Sequence, residues 1–400
     1  MMLKKVIYIG ILLLSFNCYE LMSENSVSNK IEAARKNDAP CTLGYEFENN
    51  LPLYYEQMRQ ENAPTLSLSE YVGEIESWRN AAHTKFMEMA GPFPPDCEFD
   101  AEVLMEEQRD GYVVKKVSLN LSSWERINMY LLIPDDSVPH PAVVLMHDHG
   151  AHFSIGKEKV VRPILTHSDS VVALDAATWV ERCYGGRYVG DELAHLGYVV
   201  AAIDAPYFGE RGAKSGSRYV EQQAIASNFL HLGYSWAGIT LHDDLRTLEY
   251  VRSLPCVDDD RISAMGFSYG AFRAWTLAAA SRSLAAVVSV CWLGNVRDLV
   301  VDGNNITRGQ TAYTMYFPRL AQYLDFGDIA AISSPTPAMY IQGNDDVLFT
   351  RESVNCAFDV VRKAYSDVHE RLSLVMAAGG HVFDVDRQKT AFDFLDKWGR

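Results

Sequence analysis

A surplus of positive charge is missing from this sequence: it sets 36 Lys and Arg against 52 Asp and Glu, a formal net charge of −16 over 400 residues. Nucleic acids and anionic membranes are gripped by basic surfaces, so the net charge argues against binding either through bulk electrostatics. Cysteines at C-x-x-C spacing are also missing. Cys18, Cys41, Cys97, Cys183, Cys256, Cys291 and Cys356 are scattered, without the pattern of a zinc or redox site. No segment repeats at a solenoid period, which removes repeat arrays. The apolar stretch Val6 to Leu14 is too short to cross a membrane, which takes about 20 apolar residues. What remains is 48% apolar and only 22% charged, enough to bury a large core and far from a disordered or fibrous composition.

Lys4 and Lys5 before Val6 to Leu14 give the positive and apolar regions of a secretory leader. Cys18 follows at the place where bacterial lipoproteins carry a lipidated cysteine, although Asn17 is larger than the usual preceding residue. A lipid anchor at Cys18, the one membrane attachment envisaged, and an ordinary cleaved leader both stay open. Either implies an exported protein, periplasmic or at the cell surface. Export permits disulfides, but six cysteines beyond Cys18 allow fifteen pairings and none is singled out. The expected organisation is a leader over 1–18, an irregular polar segment over 19–66, and one catalytic domain over 67–400.

Apolar residues at Tyr71, Ile75, Trp78, Ala82 and Phe86 predict an amphipathic helix from Ser67 to Met89, capped by Ser69 and stopped by Gly91-Pro92-Phe93-Pro94-Pro95. Gly111 to Leu121 and Arg126 to Ile133 alternate as two strands. Short apolar runs follow at Pro141 to Met146, Gly197 to Asp204, Ile262 to Met265, Leu284 to Leu293, Pro337 to Gly343 and Leu372 to Ala377, as buried parallel strands read. Helical patterns separate several of them: Tyr234 to Leu254, Ala271 to Ala280, Thr350 to Ala364 and Arg387 to Trp398. That alternation implies an α/β fold, a mostly parallel sheet with helices on both faces and a helical N-terminal extension. The longer stretch from His152 to Leu196, with Trp179, Tyr184 and Tyr188, reads as an insertion that shapes access to a pocket.

Chemistry gathers where strands end. Gly266-x-Ser268-x-Gly270, between an apolar strand and a strong helix former, has the form of a nucleophile elbow, in which a serine sits on a strained strand-to-helix turn. Gly343-Asn344-Asp345-Asp346 ends a later strand and Gly379-Gly380-His381 the last one. Serine, acid, histidine is the chain order of α/β-hydrolases. A serine hydroxyl is a poor nucleophile until His381 takes its proton, and a carboxylate must fix the imidazole tautomer. Asp346 is the chosen acid, with Asp345 as the alternative. The backbone N–H of Tyr269 is one oxyanion donor, and the loop His147-Asp148-His149-Gly150-Ala151-His152 supplies a second from His149 or Gly150. His147, His149 and His152 could instead ligate a metal, but Ala151 stands where metallo-β-lactamase-like hydrolases need an aspartate. The serine set is preferred, with no metal and no cofactor.

From Ser67 onward the chain resembles the bacterial α/β-hydrolases of the acetyl xylan esterase, cephalosporin deacetylase and dienelactone-hydrolase-like type. The resemblance rests on Trp78-Arg79, His147-x-His149-Gly150, Ile155-Gly156-Lys157-Glu158 and Gly190-Asp191-Glu192-Leu193-Ala194, together with Asp204-Ala205-Pro206-Tyr207-Phe208-Gly209-Glu210-Arg211, the Ser268 elbow and Cys291-Trp292. Dienelactone hydrolases proper carry cysteine at the position of Ser268, so that activity is not expected, and Ala271 stands where many members have glycine. The resemblance implies a serine esterase acting on an acylated small molecule or glycan, with deacetylation of a polysaccharide or its fragments as the expectation. Trp292 could stack on a sugar and Arg211 could meet a substrate carboxylate; packing and a structural ion pair are their alternatives. A prolyl-oligopeptidase-type serine peptidase, a metallohydrolase and a non-catalytic glycan-binding protein remain the rivals.

Overall fold

The computed structural model describes residues 47–48, 51–52, 54–164, 170–214, 216–301, 304 and 313–400. The leader, Cys18 and Cys41 lie outside the described residues. The chain divides into a unit ending at Met58 and a larger one, Arg59–Arg400. Within the first, β1 (Phe47–Glu48) and β2 (Leu51–Pro52) pair antiparallel. A helix, Tyr54–Glu61, falls in the stretch that the sequence led us to expect as irregular.

The larger unit is built on a nine-stranded sheet in the order β11-β10-β9-β8-β6-β7-β5-β4-β3. Its strands are β3 (Glu102–Arg109), β4 (Tyr112–Ser122), β5 (Glu125–Pro134), β6 (His140–Met146), β7 (Val199–Ile203), β8 (Val257–Phe267), β9 (Val287–Val290), β10 (Ala338–Gly343) and β11 (Leu372–Ala377). From β7 to β11 every neighbouring pair is parallel, and β3, β4 and β5 add an antiparallel edge. All residues of β6, β7 and β10 are buried, because helices cover both faces of the sheet and leave no solvent side for polar alternation. One face packs against Trp78, Phe86, Leu241 and Trp275, the other against Tyr184, Leu193 and Phe394. β3 has no counterpart in the sequence reading. Its residues Glu102, Glu106, Glu107 and Gln108 give no apolar rhythm, and they suit an exposed edge that must not recruit a second sheet.

The first long helix of the larger unit, α1 (Ile75–Ala90), buries the expected Trp78, Ala82 and Phe86. It starts later than predicted, and Glu74, not Ser69, is its N-cap residue. The preceding residues are claimed elsewhere: Leu68 N–H donates to Asp328 Oδ1 (2.8 Å) and Leu66 O accepts from Trp78 Nε1 (2.8 Å). Asp328 belongs to a capping box with Asp325 at the start of the helix Phe326–Ile332. Asp325 Oδ1 also accepts from Val296 N–H (2.9 Å). Burial raises the Asp325 carboxyl from 3.8 to about 7 and that of Asp328 to about 6. Folded Asp325 and Asp328 therefore hold protons that the unfolded chain has already released, so their contribution to stability is complete below pH 3.8 and declines as pH rises to about 7. Asp325→Asn keeps an acceptor oxygen and removes the titration. We expect the fall in melting temperature from pH 5 to pH 8 to be smaller in this variant than in the native chain; equal slopes would show that the carboxyl does not titrate in that range.

Candidate active site

β8 runs straight into Ser268, whose backbone sits at φ 56°, ψ −119°, before the helix α2 (Tyr269–Ser281) begins. The left-handed φ is unusual for a residue with a Cβ and is held by the surrounding packing. Ser268 N–H donates to Val290 O on β9 (2.8 Å). A Cβ on Gly266 would lie 2.2 Å from the Gly270 carbonyl, and one on Gly270 would lie 2.0 Å from Met146 O. Glycine at both positions lets α2 fold back over the end of β8 and rest on β6. A buried ion pair fixes the helix from its other side: Arg273 Nε and Nη2 reach the Asp244 carboxylate at 3.0 and 2.6 Å.

Ser268 Oγ lies 2.8 Å from His381 Nε2, and His381 Nδ1 lies 2.7 Å from Asp346 Oδ2. An ionised carboxylate can only accept, so Nδ1 carries a proton and Nε2 is left to accept from the serine hydroxyl. Asp346 is buried in the turn after β10, where Gln342 Nε2 donates to Oδ2 (2.8 Å) and Leu348 N–H to Oδ1 (3.0 Å). Asp345 is exposed and engages Gly379 O through its backbone N–H. Thus of the two candidate acids Asp346 faces the imidazole. Phe267 and Phe349 pack against the His381 ring, with centroids 4.9 and 6.5 Å away. Thr350 caps the following helix, Arg351–Ala364, by accepting from Ser353 N–H (3.2 Å), which ends the acid loop where the sequence suggested.

Tyr269 is the first residue of α2, so its N–H has no acceptor within the helix. The loop after β6 is anchored from below. Lys159, wholly buried, donates from Nζ to Asp148 O (2.9 Å) and His149 O (3.0 Å) and lies 3.6 Å from Asp148 Oδ2. Its ammonium lies over the rings of both Trp179 and Phe208, 5.2 and 4.9 Å from their centres. His147 donates from Nδ1 to Asp148 O (2.8 Å) and accepts at Nε2 from Ala205 N–H (3.0 Å). His149 Nδ1 accepts from Ala151 N–H (3.0 Å). Burial pushes both imidazoles down, His149 to about 4, so both are neutral scaffolding at ordinary pH. His152 bonds Asp175 (2.7 Å) and stacks on Trp179. Among the described residues no group of three metal-binding side chains with converging ligand atoms includes any of the three histidines. Each ring is committed to a separate hydrogen bond, and the metal alternative loses its ligand set.

A cavity of about 440 Å³ opens over Ser268 and His381, walled by Trp179, Arg182, Trp292 and Phe349. Trp292 lines it as anticipated, though mostly through buried packing against Phe272, Phe326 and Phe349. Arg211 does not line it. Its guanidinium is buried against Asp243 (2.8 Å) and Glu125 (2.8 Å through Nε), and it donates to Asp204 O (2.9 Å). The Gly209-Glu210-Arg211 turn is a structural lock, completed by Lys157 between Asp204 (2.8 Å) and Glu210 (2.7 Å). This corrects the substrate-carboxylate reading of Arg211. Sequence reasoning missed Lys159 and Arg182. Lys159 directly follows the Gly156-Lys157-Glu158 motif, but a third charged residue in a row reads as surface.

The model of the Abhydrolase family matches residues 55–376, a span that takes in Ser268 and Asp346. YtaP of Bacillus subtilis (strain 168), a hydrolase by name, is 26% identical over 317 residues, 78% of this chain and 96% of YtaP. Among solved structures, a Bacteroides fragilis protein named as an acetyl xylan esterase superposes with a TM-score of 0.63 at 20% identity, over 80% of each chain. A glucuronoyl esterase from Solibacter usitatus gives a TM-score of 0.57 at 13% identity, over 83% of this chain and 96% of the other. One from Teredinibacter turnerae gives 0.56 at 17%, over 85% and 90%. These likenesses carry the fold, while the family match covers most of the sequence. With its central parallel sheet, its elbow serine and that match, the chain belongs to the Abhydrolase family of α/β-hydrolases.

Proposed function

We propose that the protein is a serine carboxylic-ester hydrolase that removes acyl groups, acetyl above all, from a polysaccharide or oligosaccharide. The observation that carries this reading is the unbroken relay from Ser268 through His381 to Asp346 at 2.8 and 2.7 Å, opening onto an aromatic cavity. Ser268 Oγ attacks the ester carbonyl while His381 Nε2 takes its proton, and Asp346 steadies the imidazolium. The tetrahedral oxyanion is met by the N–H of Tyr269 and by that of His149 or Gly150. His381 then returns the proton to the departing alcohol, leaving an acyl-serine that water hydrolyses through the same steps in reverse roles. A cavity of about 440 Å³ with Trp179 and Trp292 in its wall suits a substituted sugar unit. The names of the structural neighbours, acetyl xylan esterase and glucuronoyl esterase, point to the same substrate class. The leader pattern of Lys4, Lys5 and Val6 to Leu14 supports export, to where such substrates occur.

The test is acetate release from acetylated xylooligosaccharides, followed by NMR, with 4-nitrophenyl acetate in parallel and a serine-directed phosphonate as inhibitor. We expect turnover of both esters, its loss on phosphonate treatment, and a single adduct on the peptide holding Ser268. Turnover that survives complete phosphonate labelling would sink the serine mechanism. Binding of acetylated glycan without any turnover would favour a non-catalytic glycan-binding protein.

A further inference from the structure

The cavity wall above Ser268 is largely apolar and aromatic, and among the described residues its permanent charges are those of Asp148 and Arg182. Asp148 is spoken for. Its Oδ1 accepts from Tyr184 OH (2.6 Å) and Trp179 Nε1 (3.1 Å), the Lys159 ammonium lies beside Oδ2, and the side chain is buried. Arg182 differs. It sits in the last turn of the helix Ser170–Tyr184, its guanidinium carbon 5.4 Å from the centre of the Trp179 ring, exposed at the mouth of the cavity. No carboxylate among the described residues pairs with it, whereas most of the arginines around the site are paired: Arg211 with Asp243 and Glu125, Arg273 with Asp244, and Arg187 with Glu192.

In a chain with 16 more acidic than basic groups, an unpaired guanidinium on a catalytic cavity stands out. A basic residue at a helix C-terminus is favoured by the helix dipole alone, and that bland account would explain why an arginine is tolerated here. It does not explain the geometry, in which the planar group lies over an indole that itself lines the cavity. A guanidinium beside an aromatic wall, with no carboxylate among the described residues on its N–H groups, is suited to a planar carboxylate. The negative charge of the whole molecule would disfavour an anionic substrate, so selectivity for one needs a local cation of this kind.

We propose that Arg182, braced on Trp179, is a subsite for a carboxylate carried by the substrate, so that the preferred esters are anionic: acylated acidic sugars or acids of comparable size. The proposal rests on the ester-hydrolase reading for its substrate, not for its binding site. The carboxylate could stand on the alcohol or on the acyl side of the scissile bond, and two substrate pairs separate these. The first compares 4-acetoxybenzoate with phenyl acetate, the second 4-nitrophenyl hemiglutarate with 4-nitrophenyl acetate. We expect one pair to show a kcat/KM ratio favouring the anion, falling about tenfold in Arg182→Ala, only partly retained in Arg182→Lys, and shrinking as salt rises. If Arg182→Ala changes the anionic and neutral members of both pairs by the same factor, the subsite is refuted. Calorimetric titration of the Ser268→Ala chain with 4-acetoxybenzoate and phenyl acetate reads the same contrast without turnover. Weaker anion binding in Ser268→Ala/Arg182→Ala supports the subsite even if ester turnover fails, and unchanged binding overturns it even if turnover succeeds.

Discussion

Replacing Ser268 by alanine will lower kcat for ester hydrolysis by a factor on the order of 10⁶ and leave the protein folded. The first half follows from the relay: without Oγ there is no acceptor for the acyl group, and His381 has nothing to deprotonate but water. The second half follows from the elbow. Ser268 makes no side-chain capping bond to α2, so its removal costs the helix nothing there, and the strain at φ 56° is shared by alanine. The buried partners that hold the turn, the Val290 carbonyl and the two close-packed glycines, are untouched. His381→Ala should be nearly as damaging, and the double variant no worse than either alone, because the residues act as one unit. Asp346→Asn would cost about 10⁴ by spoiling the imidazole tautomer. Rates with 4-nitrophenyl acetate, with urea unfolding alongside, check all four. Residual activity of Ser268→Ala above about a thousandth of native would mean that another nucleophile does the work.

How much of this was legible beforehand depends on how local each signal is. Ser268, Asp346 and His381 stand at strand ends beside glycines, and each is marked by turn chemistry within three residues of itself. The parallel strands were legible for a related reason: a strand buried on both faces must be apolar throughout, as β6 and β10 are. What escaped detection is held by partners that the local sequence pattern does not announce. β3 is stabilised by pairing with β4 and carries no apolar stripe of its own. The start of α1 is moved by Asp328, some 260 residues downstream. For Arg211 a substrate carboxylate and a structural ion pair both stayed open, because its actual partners, Glu125 and Asp243, lie in other elements. The choice between Asp345 and Asp346 depended on which carboxylate the turn directs inward, and a turn sequence alone does not state that.

Lys159→Met will cut kcat by about 10² to 10³ while moving KM for a small neutral ester far less. In a trans peptide the carbonyl and the following N–H point in opposite directions. By drawing the carbonyls of Asp148 and His149 to its ammonium, Lys159 turns the N–H groups of His149 and Gly150, two residues that line the Ser268 cavity, away from itself. His147 adds a second donor on Asp148 O, and the positive charge polarises both peptides so that their N–H groups are stronger donors to a developing oxyanion. Removing the ammonium also leaves Asp148 buried without its counter-charge, which should cost about 3–5 kcal/mol of stability. The two effects separate in Lys159→Met/Asp148→Asn. The amide can still meet Tyr184 and Trp179, so the lost stability should largely return. The peptide carbonyls would still lack their anchor, so kcat should stay low. If the double variant regains both stability and rate, Lys159 only balances a charge; if stability returns and kcat does not, the ammonium sets the aim of the oxyanion donors from beneath the loop.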